Sequence, residues 1–159
     1  MTDSTGSRLR PFFPTARDFE AATIAHFRFL VDEFDFSGPR TTDLGRSFEI
    51  RYDGPATDVL LNWDVEGGFF ACHMAPLLPN GEVNPDPDRW LAPNEILAAR
   101  GASERWIGHD ELDGADERAF ARVMERQAAN VRDYCADVLR GDWSVFDTAR
   151  AWLEHPVDA

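Results

Sequence analysis

Cysteine and histidine stand side by side once in this chain, at Cys72-His73. A thiol beside an imidazole is the raw material of nucleophilic catalysis. The flanking run Phe69-Phe70-Ala71-Cys72-His73-Met74 reads as a strand, and neighbours on a strand point to opposite faces. The two side chains therefore cannot pair with each other, and a packed thiol is the expected arrangement. His26, His109 and His155 supply no metal motif, because the chain has neither H-x-x-x-H nor C-x-x-C. His109-Asp110-Glu111 reads as a solvated or capping loop.

Asn84, Asp86, Asp88 and Glu95 fall at positions one, three, five and twelve of a calcium-loop spacing, with Leu91 at the apolar eighth position. The sixth position is Arg89, where the sharp turn needs glycine, and Pro85 and Pro87 stiffen the loop. A proline-rigid loop without metal is the reading. Gly67-Gly68 is a hairpin turn and no phosphate cradle. Ser144 lacks the G-x-S-x-G elbow and reads as a helix cap. No catalytic, cofactor-binding or metal-ligating set emerges.

Every basic residue among the sixteen is arginine, against 29 aspartates and glutamates, for a net charge of −13. Lysine's absence removes Schiff-base and amine general-base chemistry, and it follows a coding bias toward arginine. The surplus acid is a separate fact. It argues against nucleic acid and anionic membrane as partners, which need clustered positive charge, and favours a basic protein. Two acid clusters stand out: Asp53, Asp58, Asp64 and Glu66 at strand turns, and Asp110, Glu111 and Asp113 ahead of a long helix. Asp116 and Glu117, which follow, suit the helix dipole. Trp90, Trp106 and Trp143 fall in loops or helix entries, where an indole is a lid on the core or an interface anchor; at least one of the three is expected to be exposed.

The elements that position these residues follow from periodicity. Met1 to Arg10 is polar, without the apolar stretch of a secretory signal, and residues 1–12 read as a disordered tail. Residues 13–156 read as a single domain. Thr15 caps a helix running to Asp35, with Phe19, Thr23, Phe27, Leu30, Val31 and Phe34 on one stripe, and Ser37-Gly38-Pro39 stops it. Strands follow over 47–52, 58–64 and 69–74, joined by turns at Asp53-Gly54-Pro55 and Glu66-Gly67-Gly68. A fourth short strand is placed near 76–79 or 82–83, around Asn80-Gly81. A short helix starts at Pro93, a long one spans about 115–139, and a last one carries Val145, Phe146, Ala149, Trp152 and Leu153. The fold class is α+β: an antiparallel meander of three to four strands covered by an N-terminal and a long C-terminal helix. Cys72 and Cys135 sit in apolar segments and read as free thiols of a soluble, cytoplasmic protein.

The spacing from Phe27-Arg28-Phe29-Leu30 through Phe34 and Phe36, the short strands, and the run Arg140-Gly141-Asp142-Trp143-Ser144-Val145-Phe146 resemble small acidic bacterial proteins of the immunity-protein type. The likeness implies a single-domain binder rather than an enzyme and carries no catalytic residues with it. On this reading the acid clusters and an exposed Trp106 face a basic partner, as in an immunity or antitoxin-like inhibitor. The alternative is a small-molecule binder or modest enzyme, with a pocket between the sheet and the long helix using Tyr52, Asn62 or His73. A homodimer built on an exposed sheet face is the third arrangement.

Overall fold

The computed structural model describes residues 15–64, 69–108, 111 and 116–154. The tail expected over 1–12, the Gly67-Gly68 turn, the candidate acids Glu66, Asp110 and Asp113, and His109 and His155 lie outside the described residues.

Thr15 opens α1 (Ala16–Phe27) through a capping box: its hydroxyl accepts from the Asp18 amide at 3.2 Å, and its own amide donates to the Asp18 carboxylate at 3.1 Å. Those bonds hold the Asp18 carboxyl below the usual carboxylate range. The single helix expected to Asp35 is broken at Arg28, and α2 (Phe29–Phe34) restarts it. Phe27, Phe29 and Leu30 are all buried, and adjacent positions on one continuous helix do not share a face. The break lets all three reach the core. Asp35, left-handed at φ 61°, ends α2, and the Phe36 amide returns to the Leu30 carbonyl at 3.0 Å.

Four antiparallel strands follow in meander order: β1 (Ser37–Asp43), β2 (Ser47–Asp53), β3 (Thr57–Asp64) and β4 (Phe69–Pro76). The fourth strand is thus β1, ahead of the others, while the 76–83 region contributes only a Leu77–Val83 bridge. β1 hides from periodicity because six of its seven residues are exposed, so neither face carries an apolar signal. As an edge strand it tolerates Pro39. On β2 the alternation is clean, and on β3 it holds from Val59 onward. Phe48, Ile50 and Tyr52 face inward opposite Trp63, Leu61 and Val59, and Cys72 and Met74 extend those rows onto β4.

α1 and α4 (Glu117–Tyr134) cover the inner face. Phe120 of α4 meets Trp63 edge-on at 5.6 Å, and Phe19 of α1 packs on Phe70 at 5.9 Å. The long helix expected to Leu139 is interrupted at the buried Cys135, and α5 (Ala136–Leu139) continues it with Val138 and Leu139 in the core. Before them, α3 (Pro93–Ala99) begins at a proline, with the Glu95 carboxylate accepting from the Ala92 amide at 2.7 Å. α6 (Phe146–Glu154) packs on α3. It buries Ala149 and leaves Leu153 44% exposed. Among the described residues no helix is long and apolar enough to cross a membrane.

Candidate functional site

β4 is the open edge of the sheet, and its main chain decides what lies beside it. Met74 exchanges two bonds with Leu91: its amide donates at 2.8 Å and its carbonyl accepts at 3.0 Å. Main-chain groups alternate sides along an antiparallel strand, so the amide and carbonyl of Cys72, two residues back, also point away from β3. The residue that would continue the pairing opposite Cys72 is Pro93, which has no N–H to give and turns the chain into α3. Strand addition therefore stops after one residue.

A cavity of about 110 Å³ opens at that point, lined by Phe70, Cys72, His73, Pro93, Ile107 and Gln127 among others. One wall is β4, a second is α4 through Val123 and Gln127, and a third is the segment at 107–108. Asn94 fixes that segment: its carboxamide donates to the Ile107 carbonyl at 2.9 Å and accepts from the Ile107 amide at 3.2 Å. Gln127 is only 5% exposed. Its carboxamide meets the Cys72 thiol and has no other hydrogen-bond partner among the described residues. Trp90 packs against His73 on the outer face at 6.2 Å and anchors its indole N–H on the Asn84 carbonyl at 2.7 Å.

The titratable groups here are held neutral. Burial pushes the Cys72 thiol up to about 12 against the opposing Gln127 hydrogen bond, and burial pulls the His73 imidazole below its ordinary value. A thiol that high is a poor nucleophile at neutral pH. Burial likewise raises the Cys135 thiol and takes Tyr52 up to about 12.

Of the pocket residues expected from sequence, only His73 lines the cavity. Tyr52 belongs to the inner face and is buried in the core, where its hydroxyl has no partner among the described residues. Asn62 lies half-buried on the outer face, paired across the ladder with Ala71. The expectation missed Gln127 and Pro93, which read as a helix-stripe position and a helix start; only the β4–Leu91 bridge reveals what each faces.

The acid cluster at the strand turns is largely spoken for. Asp58 is no surface group: its side chain is 3% exposed, binds the Arg51 guanidinium and accepts from the Gly54 amide at 3.1 Å. Asp53 is shared by Arg40, at 2.5 and 2.7 Å, and Arg51, at 3.1 Å. Asp64 is half-buried at the end of β3 and has interactions of its own. Glu111 binds Arg126 and accepts from the Gly108 amide at 3.1 Å. Trp106 is half-buried and sits edge-on to Trp152 at 4.6 Å. Trp90 and Trp143 are half-buried too, so none of the three loop tryptophans stands free.

Trp143 reaches the Thr57 hydroxyl at 3.2 Å, and that hydroxyl donates to the Val138 carbonyl at 2.7 Å. The Arg140–Phe146 run thus ties α5 to the start of β3. In the proline loop, Asn84 and Asp86 accept from the amides of Asp86 and Asp88, each at 3.0 Å, so their side-chain oxygens shape the loop itself.

Comparison with protein-family models, curated proteins and solved structures gives no match.

Proposed function

We propose that this chain is a non-catalytic interaction protein of the cytoplasm, an immunity or antitoxin-like inhibitor that docks on a basic partner protein. The observation that carries this reading is where the arginines go. Arg28, Arg40, Arg51, Arg100, Arg105, Arg126, Arg132 and Arg150 each lie within 4 Å of a carboxylate of the chain itself. At least half of the sixteen arginines are thus engaged in internal pairs, and acids in surplus face outward, as with exposed Asp116 at the cap of α4 and Glu117 and Glu125 on it. Such a field speeds encounter with a cationic surface and repels nucleic acid. The neutral state of the buried thiols and of His73 supports a binding role over a catalytic one, since active sites shift such groups toward reactivity.

The first partner to purify is the product of the gene beside this one. Calorimetric titration at about 50 and 500 mM NaCl should show affinity falling at least about tenfold at the higher salt. A salt-independent affinity would overturn the electrostatic reading.

A further inference from the structure

We propose that the cavity at the β4 edge is a binding site for a small neutral carboxamide, which supplies to the Cys72 main chain the partner that Pro93 withholds. This site is independent of any docking on a basic partner. Cys72 presents an amide donor and a carbonyl acceptor to the same side, beyond the last bond of the Met74–Leu91 bridge. A primary carboxamide carries the matching acceptor and donor on one edge, its oxygen and its syn N–H both borne by the carbonyl carbon. The ligand carbonyl takes the Cys72 N–H, and the ligand N–H donates to the Cys72 carbonyl.

A second group calls for the same chemistry. Gln127 is 5% exposed, its carboxamide lines the cavity, and the partner it meets among the described residues is the thiol, a weak one. A polar side chain buried with so poor a partner costs free energy that a hydrogen-bonding ligand would recover. Beside the polar His73 and Asn94, whose carboxamide is already engaged by Ile107, Phe70, Pro93, Ile107 and Val123 give the lining an apolar part, which suits a ligand with a short aliphatic or flat apolar body.

Charge and size narrow the class. Among the described residues no ionised side chain lines the cavity, so a carboxylate or ammonium would lose its hydration without compensation from them. A cavity of roughly 150 Å³ takes benzene, so one of about 110 Å³ suits a body of up to about six heavy atoms. It is well below the roughly 300 Å³ at which drug-sized ligands begin.

Isobutyramide is the probe, with isobutyrate as its charged counterpart and 3-methyl-2-butanone as the shape without a donor. Titration of the isotope-labelled protein, followed by amide resonances, should show saturable shifts at Cys72, His73 and Gln127 with isobutyramide. The acid and the ketone should each bind at least about tenfold more weakly. Gln127→Leu should weaken isobutyramide about fivefold to tenfold, and Ala92→Phe, which fills the cavity from its lining, should abolish the shifts; thermal unfolding confirms that both variants fold. The proposal is overturned if isobutyramide gives no saturable shift to its solubility limit, if the acid or the ketone binds equally well, or if the shifts persist in Ala92→Phe.

Discussion

Asp53 and Asp58 have the same charge and share Arg51, yet they do different work. Asp58 is buried, holds the Arg51 guanidinium and accepts the Gly54 amide that turns β2 into β3. Removing its charge leaves the half-buried guanidinium with Asp53 as its carboxylate partner and weakens the acceptor of the turn amide. Asp58→Asn should therefore cost about 2 kcal/mol, within the range for hydrogen bonds to charged groups. Asp53, whose side chain is 32% exposed, sits in a screened pair, and Asp53→Asn should cost under about 1 kcal/mol. Urea unfolding of the two variants gives the comparison. Equal costs would mean that the carboxylates form one network in which burial does not matter. From sequence the two were indistinguishable members of one acidic cluster, because burial of a polar side chain on an outward-facing position is set by what the neighbouring turn needs. The same holds for the cavity: His73 was visible as chemistry, but its setting depends on Leu91 and Pro93, some twenty residues away.

At the scale of elements, the hairpin turns show how much local sequence decides. Asp53-Gly54-Pro55 was legible as a turn, and the structure shows why glycine is needed: a Cβ at Gly54 would fall 2.1 Å from the Thr57 carbonyl and 2.5 Å from the Phe36 ring. Gly45, between β1 and β2, is needed for a different reason. Its φ is +82°, with open space around it. Gly54→Ala should cost at least about 2 kcal/mol through overpacking against main chain, whereas Gly45→Ala should cost about 1 kcal/mol through backbone strain. The midpoints of denaturant unfolding rank them, and the reverse order would mean that the β2–β3 turn can open without loss. Periodicity found β2, β3 and β4 because each alternates between a core and a wetter face. It missed β1, whose polar residues carry no alternation, and it overran the breaks at Arg28 and Cys135. There the apolar stripe continues across the interruption, with Phe29 and Cys135 both buried, and only the structure shows where one helix ends and the next begins.

For the whole molecule, the net charge of −13 and the arginine pairs pull stability in opposite directions as salt is added. The pairs lie within 4 Å and are mostly exposed, so each contributes about 0–1 kcal/mol and loses only part of that to screening. The repulsion among surplus carboxylates acts over longer distances. It is felt across the molecule when the Debye length is about 30 Å, at about 10 mM salt, and is largely gone when that length is about 8 Å, near 150 mM. The longer-range term is therefore removed first, and the fold should gain about 1 kcal/mol over that step, read as a rise in the urea midpoint. A fall would show that the arginine pairs hold the fold together and do more than cancel charge. The same step in salt weakens docking to a cationic partner, because there the surplus charge is attractive. Fold stability rising while affinity falls, across one salt series, is the combination that an outward-facing acid surplus requires; an internal network holding the fold would make stability fall as well.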